Sequence, residues 1–294
     1  MNKEINARFI ILIGVVFVSF GSIFTKISSA PSLAIATYRL GFTSLILLPY
    51  VLMKNLNEIK GISIKNLLIC LLSGIFLAFH FATWIESINH TSIASSTLLV
   101  NTHPIFIVIG SVLILKEKIS KRSIITIVIT LIGMIIISLG NSSIGDTMIY
   151  GDFLAVLGGF CVAGYIMIGR VARQELSVNS YTFIVYSSST ITLFILSLIT
   201  NTPLYPYPKL DWLLFLSLAV FCTILGHSIF NWSLEYLNPA FVSTVMLGEP
   251  VFATLWAILF FKEFPSIWQI LGGTVILLGI YKFIQTTENT SESI

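Results

Sequence analysis

The chain has 294 residues, 56% hydrophobic and 10% charged, with a mean hydropathy of +0.96 and a formal net charge of +3. Soluble domains run near ~25% charged, so this composition excludes a water-soluble globular protein. So small a net charge gives no reason to expect a nucleic-acid partner; the partner expected is the lipid bilayer.

Taken in chain order, apolar runs and their breaks predict helices over 9–29, 31–53, 66–87, 91–115, 120–139, 152–173, 177–200, 211–235, 239–261 and 266–284. Each is near the ~20 residues that cross ~30 Å of hydrocarbon. Ser28-Ser29-Ala30 faintly resembles a signal-peptide cleavage site, but nine further spans follow, so the first run is read as helix one. Pro31 and Pro239 stand at first helical turns, where a missing N–H is harmless. Asn201–Pro208 is a Pro-rich loop whose tyrosines are placed as interfacial anchors. Cys70, Cys161 and Cys222 lie in separate apolar runs, with neither metal-site spacing nor a disulfide framework, so no metal or cofactor is expected.

Lys and Arg in the short loops set the orientation. With a cytoplasmic N-terminus, twelve of them fall inside and three (Lys26, Lys209, Lys262) outside, which predicts both termini in the cytoplasm and a bacterial plasma membrane.

A shift of 146 residues lays Ala94, Pro104, Phe106, Lys116-Glu117, Ser120 and Gly133 onto Ala240, Pro250, Phe252, Lys262-Glu263, Ser266 and Gly279. The fold expected is therefore an all-α membrane protein of about ten transmembrane helices in two five-helix repeats, 9–139 and 152–284. Five is odd, so consecutive copies must lie in opposite orientations. Inverted repeats are the usual frame of secondary transporters, with the substrate near the midplane.

These residues resemble the drug/metabolite transporter superfamily, in its ten-helix EamA-type branch. The likeness rests on Pro31–Arg39, on Asn101-Thr-His-Pro-Ile-Phe106, on Leu247-Gly-Glu-Pro-Val-Phe-Ala253 and on the Lys-Glu pairs that close helices four and nine. It runs from about Phe9 to Phe283. Where the family often has Gly-Glu, this chain has Lys-Glu. The resemblance implies two five-helix repeats and transport of small metabolites such as amino acids, nucleobases or amines.

Polar groups inside hydrocarbon demand a reason. At 1.5 Å per residue, Arg39 lies ~12 Å into helix two, His103 ~18 Å into helix four and Glu249 ~15 Å into helix nine, all near the midplane. His103 and Glu249 are repeat mates, each directly before a proline that removes a helix hydrogen bond. In the functional reading, Glu249 binds a proton or a cationic substrate group while Arg39 or His103 holds a carboxylate or balances charge. In the structural reading, Arg39 and Glu249 form a fixed ion pair. Helix eight carries Thr223, His227, Asn231 and Glu235 at i+4 steps, and helix three answers with His80 and Trp84. His227, Asn231, His80 and Trp84 are therefore candidate pore-lining residues, with His80 expected in the outer half and His227 in the inner. Tyr38, beside Arg39, is a further candidate. Gly158, Gly159 and Gly164, like Ser92, Ser95, Ser96 and Thr102, read mainly as close-packing surfaces.

No phosphate-binding Gly-x-x-x-x-Gly-Lys loop, His-x-x-x-His pair or carboxylate dyad is present, so no enzyme is expected. The leading expectation is a secondary transporter working by alternating access, with proton-coupled export as one form. A channel-like facilitator of the same fold and an intramembrane enzyme on lipid-linked substrates stand as alternatives.

Overall fold

A computed structural model describes residues 3–115, 121–142, 146–173, 175–233, 245–246 and 248–291. Its helices are α1 (Lys3–Ile27), α2 (Ser32–Lys54), α3 (Leu56–Lys60), α4 (Ile64–His90), α5 (Ile93–Val100), α6 (His103–Leu115) and α7 (Lys121–Ser142). There follow α8 (Asp146–Ala172), α9 (Val178–Ile199), α10 (Lys209–Ser217), a π-helical stretch (Leu218–His227), α11 (Ser228–Ser233), α12 (Gly248–Phe261) and α13 (Ile267–Ser291). Among the described residues six helices are long and apolar enough to cross a membrane, and four shorter apolar ones accompany them. Among the described residues no strand occurs. The protein is an all-α membrane protein, as its composition predicts.

Helix starts follow local chemistry. Ser63, Ser92 and Ser177 each cap a helix by accepting from the backbone N–H three residues on. Pro31 and Pro208 stand just before α2 and α10 and so forfeit no helical hydrogen bond.

Two expected helices differ in form. Helix four, expected over 91–115 and loosened at Pro104, splits into α5 and α6 at Asn101–Thr102. Pro104 is the cause: it has no N–H for the Val100 carbonyl, and its ring crowds that oxygen. Helix eight, expected over 211–235, passes through ten π-helical residues. There the Thr223 hydroxyl donates to the Leu218 carbonyl (3.1 Å) and Ser228 to the Thr223 carbonyl (3.3 Å), both five residues back. Such stretches are rare and cluster at functional sites. The short helix α3 has no counterpart among the expected elements; helix nine is described from Gly248 onward, the rest of 239–247 apart from Val245 and Met246 lying outside the described residues.

Small residues let backbones approach. A Cβ on Gly133 would lie 2.7 Å from the Gly272 carbonyl, and one on Gly272 2.7 Å from the Gly133 carbonyl, so α7 and α13 touch through bare backbone. Gly158 and Gly159 of α8 sit against Trp84 and the Val100 carbonyl, and Gly164 against Phe76, which makes them packing positions.

The loop residues tie the helices at both ends. At one end Glu263 accepts from Lys26 Nζ (2.6 Å) and from the Ile93 N–H (2.7 Å), and Asp211 accepts from Ser28, from the Ser29 hydroxyl and from the Ser29 N–H. Gln269 donates to Ser92 and Ser95 there, and Asn89 to Ser32. At the other end Glu58 of α3 accepts from the N–H and hydroxyl of Ser177, from Ser180 and from Asn55, all within 2.9 Å. Burial alone would raise the Glu58 pKa, but these hydrogen bonds outweigh it and hold the carboxyl near about 2.

Candidate substrate cavity

The broken helices converge on a cavity whose wall mixes polar and apolar side chains. Its wall takes Arg39 from α2, His80 and Trp84 from α4, Asn101 and His103 from the α5–α6 break, His227 from the π-helical stretch and Glu249 from α12. Its volume is about 40 Å³, room for about three waters. A cavity of this volume is smaller than an amino acid or a nucleobase.

Each group reaches the wall for a local reason. The α5–α6 break starts α6 at His103 and so brings the partial positive charge of a helix N-terminus to the cavity, while α12, described from Gly248, carries Glu249. Glu249 is buried and its Oε2 accepts only a long hydrogen bond, 3.5 Å, from Asn101 Nδ2. Asn101 is held by donating to the Thr97 carbonyl at 2.9 Å.

Arg39 is 1% exposed. Its Nε donates to Thr223 Oγ1 at 2.9 Å, and its guanidinium lies over the ring of Phe81 (4.2 Å) and beside that of Trp84 (5.9 Å). The wide turn of the π-helical stretch presents Thr223 to Arg39 and His227 to the cavity. Arg39 and Glu249 share the wall without forming an ion pair, so the fixed pair of the structural reading is not what the coordinates show.

His80 Nδ1 meets the Gly158 carbonyl at 3.0 Å; a carbonyl only accepts, so Nδ1 carries the proton. That leaves Nε2 of the neutral ring as an acceptor. The ring stacks flat on Trp84 with centroids 6.2 Å apart. His227 lies edge-on to Phe81 at 6.1 Å, so His80 and His227, expected in opposite halves, flank one aromatic ring and one cavity.

Of the eight residues singled out in the sequence, Glu249, His103, Arg39, His227, Trp84 and His80 come together. Tyr38 does not: its hydroxyl donates to the Leu204 carbonyl (2.7 Å) and its ring packs on Trp212 and Phe215. Asn231 is placed on α11 by its backbone, but its side chain lies outside the described residues. Asn101 was missed, although it opens the motif that contains His103; an amide three residues before a mid-span proline was the available signal.

A cavity lined by charged and polar side chains from both repeats, with a helix broken at its wall, is the architecture of a membrane transporter. Comparison with known proteins gives the family. The EamA-like transporter family matches twice, over residues 6–139 and 149–284, and the chain belongs to it. An uncharacterized transporter of Archaeoglobus fulgidus is 23% identical over 252 residues, covering 84% of this chain and 86% of its own. The pseudopaline exporter CntI of Pseudomonas aeruginosa is 24% identical over 263 residues, 88% of each chain. An S-adenosylmethionine uptake transporter of Rickettsia prowazekii is 22% identical over 269 residues, 89% of this chain and 85% of its own. A crystal structure at 14% identity superposes with a TM-score of 0.64, covering 95% of this chain and 97% of that one, and so shares the fold.

Proposed function

We propose that the protein is a secondary transporter that carries a small metabolite of the amino-acid, nucleobase or amine class through the central cavity by alternating access. Glu249 takes up a proton or the cationic group of the substrate. The observation that carries this reading is the cavity itself: both repeats supply its wall, and Glu249 faces it with one long hydrogen bond and no cationic partner. A buried carboxyl so weakly held is free to exchange partners. The lysine and arginine distribution supports both termini in the cytoplasm and a plasma-membrane location. Repeats spanning 9–139 and 152–284 supply the two rocking halves. One relative is named an exporter and another an uptake transporter, so the direction of transport is not carried over from them.

The test is uptake of radiolabelled amino acids, nucleobases and amines into proteoliposomes under an imposed pH gradient. A carried compound should follow the gradient in the wild type, and Glu249→Gln should abolish transport or its pH response with folded yield intact. Unchanged transport in the variant removes Glu249 from the site, and transport indifferent to the gradient identifies a facilitator.

A further inference from the structure

We infer that the substrate bears a carboxylate and that the Arg39 guanidinium receives it; this rests on the transporter reading and narrows its substrate class. Arg39 is 1% exposed, yet only its Nε has a hydrogen-bond partner, Thr223. Nη1 is buried with none, and no described carboxylate lies within ion-pair distance. A guanidinium offers five donors in a fixed fork, suited to two parallel bonds with a carboxylate. Holding it unpaired inside hydrocarbon is costly. The Phe81 and Trp84 rings offset part of that cost but supply no acceptor in the plane of the fork.

Three further features make the cavity suited to an anion. The half-helix α6 begins at its wall with His103, bringing the positive end of its dipole to the space that Arg39 lines. Against these stands a single carboxylate on the wall, Glu249. Trp84 Nε1 is a second buried donor without a partner on the same wall. Gly21 keeps the space beside the guanidinium open, since a Cβ there would lie 3.8 Å from Nη1 and 3.3 Å from the Trp84 ring. In this small cavity the fork faces no counter-ion; as the walls part, the counter-ion arrives with the substrate. A substrate that also bears an amine would span from Arg39 to Glu249.

The experiment is thermal unfolding of the full-length protein in lipid nanodiscs against the twenty amino acids, each beside its amide and its decarboxylated amine, with sodium chloride as the inorganic control. At least one amino acid should raise the midpoint, with its amide and amine binding about tenfold or more weakly, the loss of one charge-assisted pair. Arg39→Gln should abolish the stabilisation and Arg39→Lys should restore part of it. Gly21→Ala retains Arg39 and narrows the space, so it should weaken the acid more than the amine and decides the matter if Arg39→Gln does not fold. Amides and amines that stabilise as well as acids, chloride that does so equally, or no acid that binds would each overturn the carboxylate assignment. An amine transported as fast as its parent acid sinks that assignment alone, whereas no transport of any compound sinks the transporter reading as well.

Discussion

Removing Glu263 should unclasp one end of the bundle. Its Oε2 takes Lys26 Nζ at 2.6 Å and its Oε1 takes the Ile93 N–H at 2.7 Å, so one carboxylate joins the ends of α1 and α12 to the first turn of α5. Both partners of the ion pair are partly exposed, at 32% and 22%, which limits that contact to ~0.2–1 kcal/mol. The backbone contact is charge-assisted and sits at a helix N-terminus, worth about 1.5–3 kcal/mol. The clasp therefore holds about 2–4 kcal/mol, and its loss should raise the opened fraction at this end roughly 30- to 900-fold. Glu263→Ala removes both contacts; Glu263→Gln loses the ion pair and leaves an amide oxygen for Ile93.

Opening can be read at Val18, which lines the cavity. In a background lacking Cys70, Cys161 and Cys222, a Val18→Cys reporter should react with an impermeant maleimide added on the side of the α1–α2 loop. The rates should order as Ala above Gln above wild type. Equal rates in all three would refute the clasp, because labelling would then be limited by contacts that do not involve Glu263.

Other outcomes follow from particular contacts. The Glu58 carboxyl is held near about 2, below its ordinary 4.5, so its latch on Ser177 and Ser180 is intact above pH ~4.5 and is lost as pH falls toward ~2. The thermal midpoint of the wild type should fall across that window by more than that of Glu58→Gln, and parallel curves would dismiss the latch. Gly133→Val pushes a side chain into the Gly272 carbonyl 2.7 Å away and should destabilise the protein by about 2 kcal/mol or more, read as a lowered midpoint in detergent. Lys262 ends α12 with a left-handed φ of 57°, while the Glu263 N–H reaches back to the Ala257 carbonyl. Lys262→Gly relieves a strain of about 1 kcal/mol and should raise the midpoint slightly; a lowered midpoint would show that the lysine side chain outweighs the strain.

How much of this was legible depends on the range of the signal. Arg39 and Glu249 stand out because a charge within an apolar run is costly and demands a reason, and Pro104 announces its break within a few positions. The π-helical stretch was not legible, since Thr223 answers Arg39 from 184 positions away. The Glu58 latch was hidden for the same reason, its partner Ser177 lying 119 positions on in an unrelated loop. Helix α3 is too short, at five residues, to show a period. The Lys-Glu departure from Gly-Glu was visible, but its meaning needed the backbone: the first residue takes the left-handed turn that glycine prefers, and the second is aimed back at α1 and α5.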